Sequence, residues 1–213
     1  MYTPRAFAGT DLSALDQLIG RDPFVTLITP GSSLLPQVSH LPVLYAREGD
    51  RVALEGHWAR PNPQATYEGE GLVVVHGPHA YVSAGWYPDK DAAARVPTWN
   101  YAVAHLHGRL RPIHESAALA DLVSRLSDAF EASVSSDWRF ETDRPEHMHQ
   151  LRGIVGFRFE ASATQLTLKL SQNHPQANAD AVVAALARQP SQQAHDVAAW
   201  MQRWRPRRDT APD

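Results

Sequence analysis

Residues Gly56–Pro63 (GHWARPNP) combine an imidazole, a guanidinium and an amide where a strand-like segment runs into turn residues. His57 and Arg60 can donate strong hydrogen bonds, and Asn62 adds an amide donor, so the segment carries the groups that a phosphate accepts. A strand end that only had to turn would need no more than Gly, Asn or Asp with Pro. The segment therefore predicts an anion site. A solvated strand end that binds nothing is the alternative interpretation.

Ser39 and His40 belong to an earlier segment that is expected to reach the same site. Residues 47–50 (REGD) form a predicted hairpin turn, and counting back from this turn places His40 roughly opposite His57. The hydroxyl and the second imidazole would then add to the donors of the site. The predicted anion site comprises Ser39, His40, His57, Arg60 and Asn62.

Two further polar groups stand at the ends of predicted strands. Thr98 and Asn100 share one face of a strand and are predicted to face a ligand, whereas Trp99 lies on the opposite face, toward the core or an interface. Lys169 and Gln172 close a later strand with an ammonium and an amide that can satisfy the edge of a heterocycle. Core packing and a plain strand-end turn are the alternatives.

The sequence gives little support for a metal site or for the common catalytic motifs. The HxH pairs at residues 105–107 and 147–149 have a spacing compatible with zinc or iron, but no third ligand can be identified, and no metal site is predicted. The HExxH, GxSxG, P-loop and GxGxxG patterns are absent. The chain has no cysteine, which excludes disulfides and thiolate chemistry. Catalytic residues cannot be assigned from these patterns.

The composition is typical of a soluble globular protein, with 213 residues, 43% hydrophobic residues and a net charge of −3. This overall charge does not attract nucleic acid, and no helix-turn-helix pattern supports direct DNA binding. Neither a signal-like apolar run nor a stretch of about 18 apolar residues occurs, so we expect a cytoplasmic protein without a membrane partner. The only basic cluster is Arg203, Arg205, Arg207 and Arg208.

Short alternating or β-branched segments predominate, and helices do not alternate with them as βαβ units require. An α+β fold with an antiparallel barrel and peripheral helices is therefore predicted. The predicted strands are 24–28, 38–46, 51–58, 71–76, 80–83, 98–108 and 154–170. The predicted helices are 11–19, 117–132 with Ser116 as its cap, a brief helix ending at Gly153, 179–188 and 192–204.

Seven sequence words in one order resemble the PaiB-type family of FMN-binding negative transcriptional regulators, from Met1 to about Asn173. These words are MYTPRAF, SHLPVL, GHWARPNP, GPHAYVSAGWY, VPTWNY, GIVGF and KLSQN. The resemblance implies an α+β split β-barrel, similar to pyridoxamine-phosphate oxidase, and a homodimer with FMN at the subunit interface. We expect this domain over residues 1–175, a helical extension packed on it over 176–205, and a disordered tail over 206–213.

The resemblance also implies roles for the polar residues. It implies that the FMN phosphate and ribityl chain are held by Ser39, His57, Arg60 and Asn62. Contacts to the flavin ring, in part from the partner subunit, are implied for Thr98, Trp99, Asn100, Lys169 and Gln172. Two departures from the family pattern affect FMN contacts: Ala84 follows Ser83 where Pro is typical, and His174 follows KLSQN where Arg is common.

The family name implies a flavin-binding protein that lowers transcription, directly or through a partner. A different function remains open, that of an FMN-dependent oxidoreductase or flavin reductase that uses a nicotinamide or another small reductant, since the flavin itself carries such chemistry. A third possibility is a split barrel without a cofactor that only binds a partner protein.

Overall fold

The structure is a computed structural model that describes residues 1–31 and 34–204. Within these ranges eight strands form one sheet, in the order β3-β2-β6-β7-β8-β5-β4, and β1 pairs with β8. The strands are β1 (Ala8–Gly9), β2 (Phe24–Thr29), β3 (Gln37–Pro42), β4 (Leu44–Glu48), β5 (Arg51–Ala59), β6 (Gly69–Val82), β7 (Thr98–Ile113) and β8 (Ile154–Lys169). The helices are α1 (Ser13–Arg21), α2 (Ser116–Ser133), α3 (Pro145–Gln150), α4 (Gln176–Leu186) and α5 (Gln192–Trp204).

The chain divides into two compact units. Unit 1 comprises Met1–Leu18, His76–Ala104 and Gln165–Asp213, and unit 2 comprises Ile19–Val75 and His105–Thr164. The predicted disorder of residues 206–213 lies outside the described part of the chain. None of the helices in the described part is long and apolar enough to span a bilayer.

Unit 2 is organised around the inner face of β5. Alternate residues of β5 are buried, which is the pattern of a strand with one face on the core. Trp58 is 1% exposed, and its ring lies 4.6 Å from that of Phe157 on the neighbouring strand β8. The other face of β8 carries α2: a Cβ at Gly156 would lie 2.9 Å from a methyl group of Leu122. Glycine at this position therefore lets the helix approach the sheet.

The hairpin turn predicted at residues 47–50 is present, and Glu48 pairs with Arg51 across it. The prediction that His40 lies opposite His57 is wrong, because strand β3 pairs with β2 and His40 faces Thr26. Continuing the hairpin register would place Pro42 opposite His57, and proline has no N–H to donate to the ladder. The predicted strand 38–46 is therefore two strands that separate at Val43.

Two smaller predictions also need correction. The segments 71–76 and 80–83 form one strand, β6, which contains Pro78. The register between β2 and β6 covers Leu72 to Val74, so the proline lies beyond this pairing, where its missing N–H costs no bond in that ladder. Helix α2 is capped by the carboxylate of Glu115, and not by Ser116 as predicted.

Unit 1 packs helices on the portions of β6, β7 and β8 that belong to it. A Cβ at Gly77 would lie 2.4 Å from a methyl group of Leu18, so glycine allows α1 to contact β6 closely. Helices α4 and α5 bury apolar side chains that include Val182, Leu186 and Val197. The predicted pattern of apolar residues in both helices is thus explained by core packing.

Candidate functional site

The ten residues predicted to contact a ligand form two groups of five, one in each unit. The unit 2 group is Ser39, His40, His57, Arg60 and Asn62. The unit 1 group is Thr98, Trp99, Asn100, Lys169 and Gln172.

Ser39 and Asn62 contact each other in a closed hydrogen-bond network. The amide of Asn62 donates to the hydroxyl of Ser39 at 2.9 Å, and this hydroxyl donates to the side-chain oxygen of Gln64 at 2.5 Å. The side-chain oxygen of Asn62 accepts from the backbone N–H of Gln64 at 2.9 Å and so caps the 3-10 helix Pro63–Thr66. The polar groups of both predicted site residues are therefore used in shaping this loop.

Gln64 fixes the loop to the sheet and was missed by the sequence interpretation. Its side chain is 1% exposed, and its amide nitrogen donates to the hydroxyl of Thr29 at 3.0 Å and to the carbonyl of Gln37 at 3.3 Å. A glutamine directly after a Pro-Asn-Pro turn was the available signal, because glutamine is seldom buried unless its amide is satisfied.

Arg60 is exposed and braces the start of β8. Its guanidinium donates from Nε to the carbonyl of Arg152 at 2.5 Å and from a terminal nitrogen to the carbonyl of Ile154 at 2.8 Å. An arginine side chain has five N–H donors, so two are used here and three remain for a ligand. Arg60 lines a cavity of about 640 Å³ in unit 2.

The two histidines of the unit 2 group lie apart from this network. His40 is exposed, and its Nδ1 lies 3.0 Å from the hydroxyl of Thr26. His57 pairs with Gly156, whose face carries α2, so the imidazole lies on the helix-covered side of the sheet. Burial lowers the pKa of His57, and its Nδ1 is buried without a hydrogen-bond partner among the described residues. The structure therefore joins Ser39 with Asn62 and leaves both histidines outside their network.

In unit 1, Thr98, Asn100 and Lys169 line one cavity of about 410 Å³. The ammonium of Lys169 donates to the hydroxyl of Thr98 at 2.5 Å and lies 6.0 Å from the ring centre of Phe7. The remaining lining includes the hydroxyl of Ser171 and the side chains of Arg95, Asn173 and His174. Three of the five residues predicted in this unit are therefore brought together around one cavity.

Asn100 forms the buried polar wall of this cavity. Its side chain is fully buried, and its amide nitrogen lies 2.9 Å from the hydroxyl of Ser171 and 3.3 Å from the sulfur of Met201. Ser171 has a φ of 63°, a left-handed conformation that a non-glycine residue adopts at a cost. The backbone is thus turned sharply where β8 ends, and this turn brings the hydroxyl to Asn100.

Trp99 and Gln172, the other two predicted residues, do not line the cavity. Trp99 is 52% exposed on the opposite face of β7, with its ring centre 6.1 Å from that of His79 and 6.0 Å from that of Tyr81. The side-chain oxygen of Gln172 accepts from the backbone N–H of Leu170 at 2.7 Å, so its amide closes the turn after β8. The alternation predicted for residues 98–100 explains why Trp99 points away from the cavity.

An ion pair that the sequence interpretation missed holds the loop beside the cavity. The guanidinium of Arg95 bonds both carboxylate oxygens of Asp89, at 2.9 and 2.5 Å, and Asn178 donates to the same carboxylate at 2.7 Å. The guanidinium of Arg95 lowers the pKa of Asp89 to about 2. Opposite charges six residues apart, before the word VPTWNY, were the signal for this loop.

His174, one of the two departures from the family pattern, also lies at the cavity. Its ring is stacked on that of Tyr87, with ring centres 4.8 Å apart. Burial, with smaller effects from Arg95 and Lys169, lowers the pKa of His174. Its Nδ1 is buried and has no partner in the described part of the chain. At neutral pH the position therefore offers a polar atom, but not the permanent charge of an arginine.

The other departure concerns the loop after Ser83. The residues Ala84–Trp86 form a 3-10 turn, and the hydroxyl of Ser83 accepts from the backbone N–H of Gly85 at 3.1 Å. Side-chain capping thus stabilises this turn without a proline.

Among residues 1–31 and 34–204, no three His, Asp or Glu side chains are placed to hold a metal ion.

The family model described as "Putative FMN-binding domain" matches residues 1–163. The chain belongs to this family. It is 30% identical over 206 residues to the Bacillus subtilis "Protease synthase and sporulation protein PAI 2", a match that covers 95% of this chain and 97% of that protein. It is also 32% identical over 225 residues to an uncharacterized protein of Emericella nidulans, covering 86% of this chain and 89% of that protein.

The fold is shared with solved structures of low sequence identity. The FAD and heme binding protein from Mycobacterium smegmatis superposes with a TM-score of 0.56 at 18% identity, over 76% of this chain and 73% of that chain. The α+β split-barrel fold class predicted from the sequence is confirmed. The family assignment and the resemblance read from the seven sequence words agree.

The residues of the unit 1 cavity fit the cofactor for which the family is named. Lys169, Thr98 and Asn173 present an ammonium, a hydroxyl and an amide to it, and these groups can satisfy ring carbonyls and ring nitrogens of a flavin. The buried, unpartnered Nδ1 of His174 supplies a further polar atom. A volume of about 410 Å³ lies within the range of small-molecule sites.

Proposed function

We propose that the protein binds FMN in the unit 1 cavity. The observation that carries this proposal is the grouping of Lys169, Thr98 and Asn100 around one polar cavity in a member of an FMN-binding family. Lys169 would contribute a positive charge to the electron-rich edge of the flavin. Thr98 and Asn100 lie on the same strand face and would hold the orientation of the bound ring.

The unit 2 residues are proposed to act in two ways. Arg60 keeps three N–H donors for the phosphate, after the two that bond backbone carbonyls. Ser39 and Asn62 are proposed as positioning residues, because their polar groups bond each other and Gln64. For His57 a contact with FMN stays a proposal that rests on the family resemblance.

We further propose a cytoplasmic homodimer with FMN at the subunit interface. The resemblance supports this arrangement, and so does the exposed ring cluster formed by His79, Tyr81 and Trp99. Aromatic side chains are enriched at protein–protein interfaces, where they are buried at a low cost in conformational entropy. Trp99 would then contribute through the interface and not through the cavity of its own subunit.

The biological output proposed for bound FMN is lowered transcription. The name of the Bacillus subtilis relative links that protein to protease synthesis and sporulation, which supports a regulatory role. FMN would supply an oxidised or reduced ring whose state the protein could sense. Regulation through a partner protein is favoured over direct DNA binding, because the net charge is −3.

A second candidate function is an FMN-dependent oxidoreductase. The stacked pair of His174 and Tyr87 beside the cavity favours it, because a half-buried imidazole next to a flavin can exchange a proton with a small substrate. Steady consumption of NADH or NADPH by the FMN-loaded protein would support the enzyme. A sequence-specific DNA complex that persists at raised salt would support direct regulation.

The FMN proposal is tested by titrating the purified protein with FMN and following the quenching of flavin fluorescence. Lys169→Met should weaken binding by about 1.5 to 3 kcal/mol, the usual value of a hydrogen bond to a charged group. Lys90, the other lysine of the chain, is exposed and does not line the cavity, so Lys90→Met removes the same charge without changing the lining. Wild-type protein that does not bind FMN, or equal affinities in the two variants, would contradict the proposal.

A further inference from the structure

A second cavity, in unit 2, carries positive and polar groups that the FMN proposal does not use. We call it the α2–α3 pocket; it has a volume of about 640 Å³. Its polar lining is Arg60, His114, Ser116, His149 and Arg152, and its apolar lining is Leu119, Pro145, Met148 and Leu151. No aspartate or glutamate of the described residues lines it.

The polar groups of this pocket have unused donors. Arg60 keeps three N–H groups beyond its two bonds to carbonyls. The side chains of His114, His149 and Arg152 form no hydrogen bond or ion pair with any other residue that the structure describes. These side chains are exposed, and arginine and imidazole donors without an acidic partner are available to an anion that enters the pocket.

The start of α2 is not the source of this anion affinity. The carboxylate of Glu115 already accepts from the backbone N–H groups of Ala117 and Ala118, at 2.9 and 2.7 Å. On the α3 side, Glu141 and Glu146 pair with Arg144, and Asp143 does not line the pocket. The side chains of Arg60 and Arg152 therefore face the pocket as its cations without competition from these carboxylates.

The apolar part of the pocket gives the ligand a second recognisable feature. Leu119 and Leu151 are buried members of a small core cluster, and Met148 packs against it half-buried. The apolar surface that a ligand can reach is that of Met148 and of Pro145, which is exposed. A bare inorganic anion would use the donors and leave this surface in contact with water. A ligand with an apolar body attached to its anionic group would cover both.

We propose that the α2–α3 pocket binds a phosphate monoester, with its phosphate on Arg60 and Arg152 and its organic part on Pro145 and Met148. Arginine is the side chain best suited to bidentate contact with a phosphate. The ligand can be FMN itself, through its own phosphate, or a separate phosphate ester. The two proposals share Arg60: where the ester is FMN, this inference rests on the FMN proposal, and where it is another ester, it stands without it.

The test uses phenyl phosphate as the probe and isothermal titration calorimetry at constant ionic strength in chloride buffer. Wild-type protein should bind the probe saturably, and Arg152→Gln should weaken binding by about tenfold or more, as expected for a lost charge-assisted contact. Arg152 is exposed and its side chain is unpaired in the described part of the chain, so this change should not disturb the fold. Arg188→Gln, at an exposed arginine of unit 1, is the matched control and should bind as wild type does.

Two outcomes would overturn the proposal: no saturable binding of phenyl phosphate to the wild-type protein, or an equal loss in the Arg152→Gln and Arg188→Gln variants. His149→Gln provides a second change in the same pocket, and it too should weaken binding of the probe. Thermal unfolding of each variant confirms that it is folded before it is titrated.

A second titration, with FMN and riboflavin, distinguishes FMN from another ester as the source of the phosphate. If FMN places its phosphate here, Arg152→Gln weakens FMN and not riboflavin, and phenyl phosphate competes with FMN. If another ester is the ligand, FMN affinity is unchanged and phenyl phosphate binds to FMN-saturated protein. Because the calorimetric signal needs no flavin, a failure of the FMN proposal leaves this test readable.

Discussion

Replacing Ser39 by alanine separates a positioning role from direct contact with FMN. The hydroxyl of Ser39 donates to Gln64 and accepts from Asn62, and its residue is only 8% exposed. Alanine removes this link and leaves the side-chain oxygen of Gln64 buried without its donor. The amide of Asn62 is half-buried and can turn to water.

The size of the effect follows from these two partners. A buried polar group that loses its hydrogen bond costs about 1 to 3 kcal/mol, and the half-buried amide adds less. We therefore expect Ser39→Ala to lower the free energy of unfolding by about 2 to 3 kcal/mol. For a domain of this size that corresponds to a fall in Tm of roughly 4 to 12 °C.

Urea unfolding followed by tryptophan fluorescence measures the stability, and an FMN titration of the same samples measures the affinity. Ser162→Ala is the control, because its exposed hydroxyl donates only to the carbonyl of His107 and should change stability by less than about 0.5 kcal/mol. The reasoning is refuted if Ser39→Ala has wild-type stability but binds FMN about tenfold more weakly, the result expected for a direct contact.

Three further predictions test the fold, the loop and the interface. Gly108→Ala would place a Cβ 2.2 Å from a backbone carbonyl oxygen and should cost about 1 to 3 kcal/mol in urea unfolding, whereas Gly153→Ala, with no atom within 4 Å, should not. The pKa of Asp89 is about 2, below its ordinary 3.8, so its pair with Arg95 stabilises the fold above about pH 4 and is lost as the pH falls through 2. Acid unfolding of Asp89→Asn should lack this part of the pH dependence; an identical acid profile would contradict it. Trp99→Ser should raise the dissociation constant of the proposed dimer at least about thirtyfold by analytical ultracentrifugation, and an unchanged constant would exclude Trp99 from the interface.

Local patterns in the sequence predicted the strands and helices better than they predicted pairing. Alternation along residues 51–58 predicted β5, and the apolar stripe of residues 192–204 predicted α5, because each pattern reports one buried face of one element. The pairing of His40 depends instead on which strand lies beside it. Pro42 marks the break at Val43, but no local pattern indicated that the segment before the break pairs with β2 and not with β5.

The contrast between local patterns and chain pairing also explains which of the predicted site residues lie at the unit 1 cavity. Thr98 and Asn100 were placed on one strand face by alternation, and the structure puts both at the unit 1 cavity. Lys169 joins them because β7 and β8 are neighbours in the sheet. Gln172 was grouped with Lys169 by sequence distance, but the left-handed Ser171 turns the chain between them. A single residue with a positive φ thus separates a side chain that lines the cavity from one that only closes a turn.

The segment after β5 has two interpretations, because its polar side chains can stabilise the local backbone or bind a phosphate. Asn62 is accounted for by the cap of the helix Pro63–Thr66, since its oxygen and nitrogen both have partners in the loop. Arg60 is different, because bracing the start of β8 uses only two of its five donors. A lysine could not brace two carbonyls in this fork-like way and still offer donors on its outer edge. The part of this segment that folding alone does not explain is therefore the outer edge of Arg60, which faces the α2–α3 pocket.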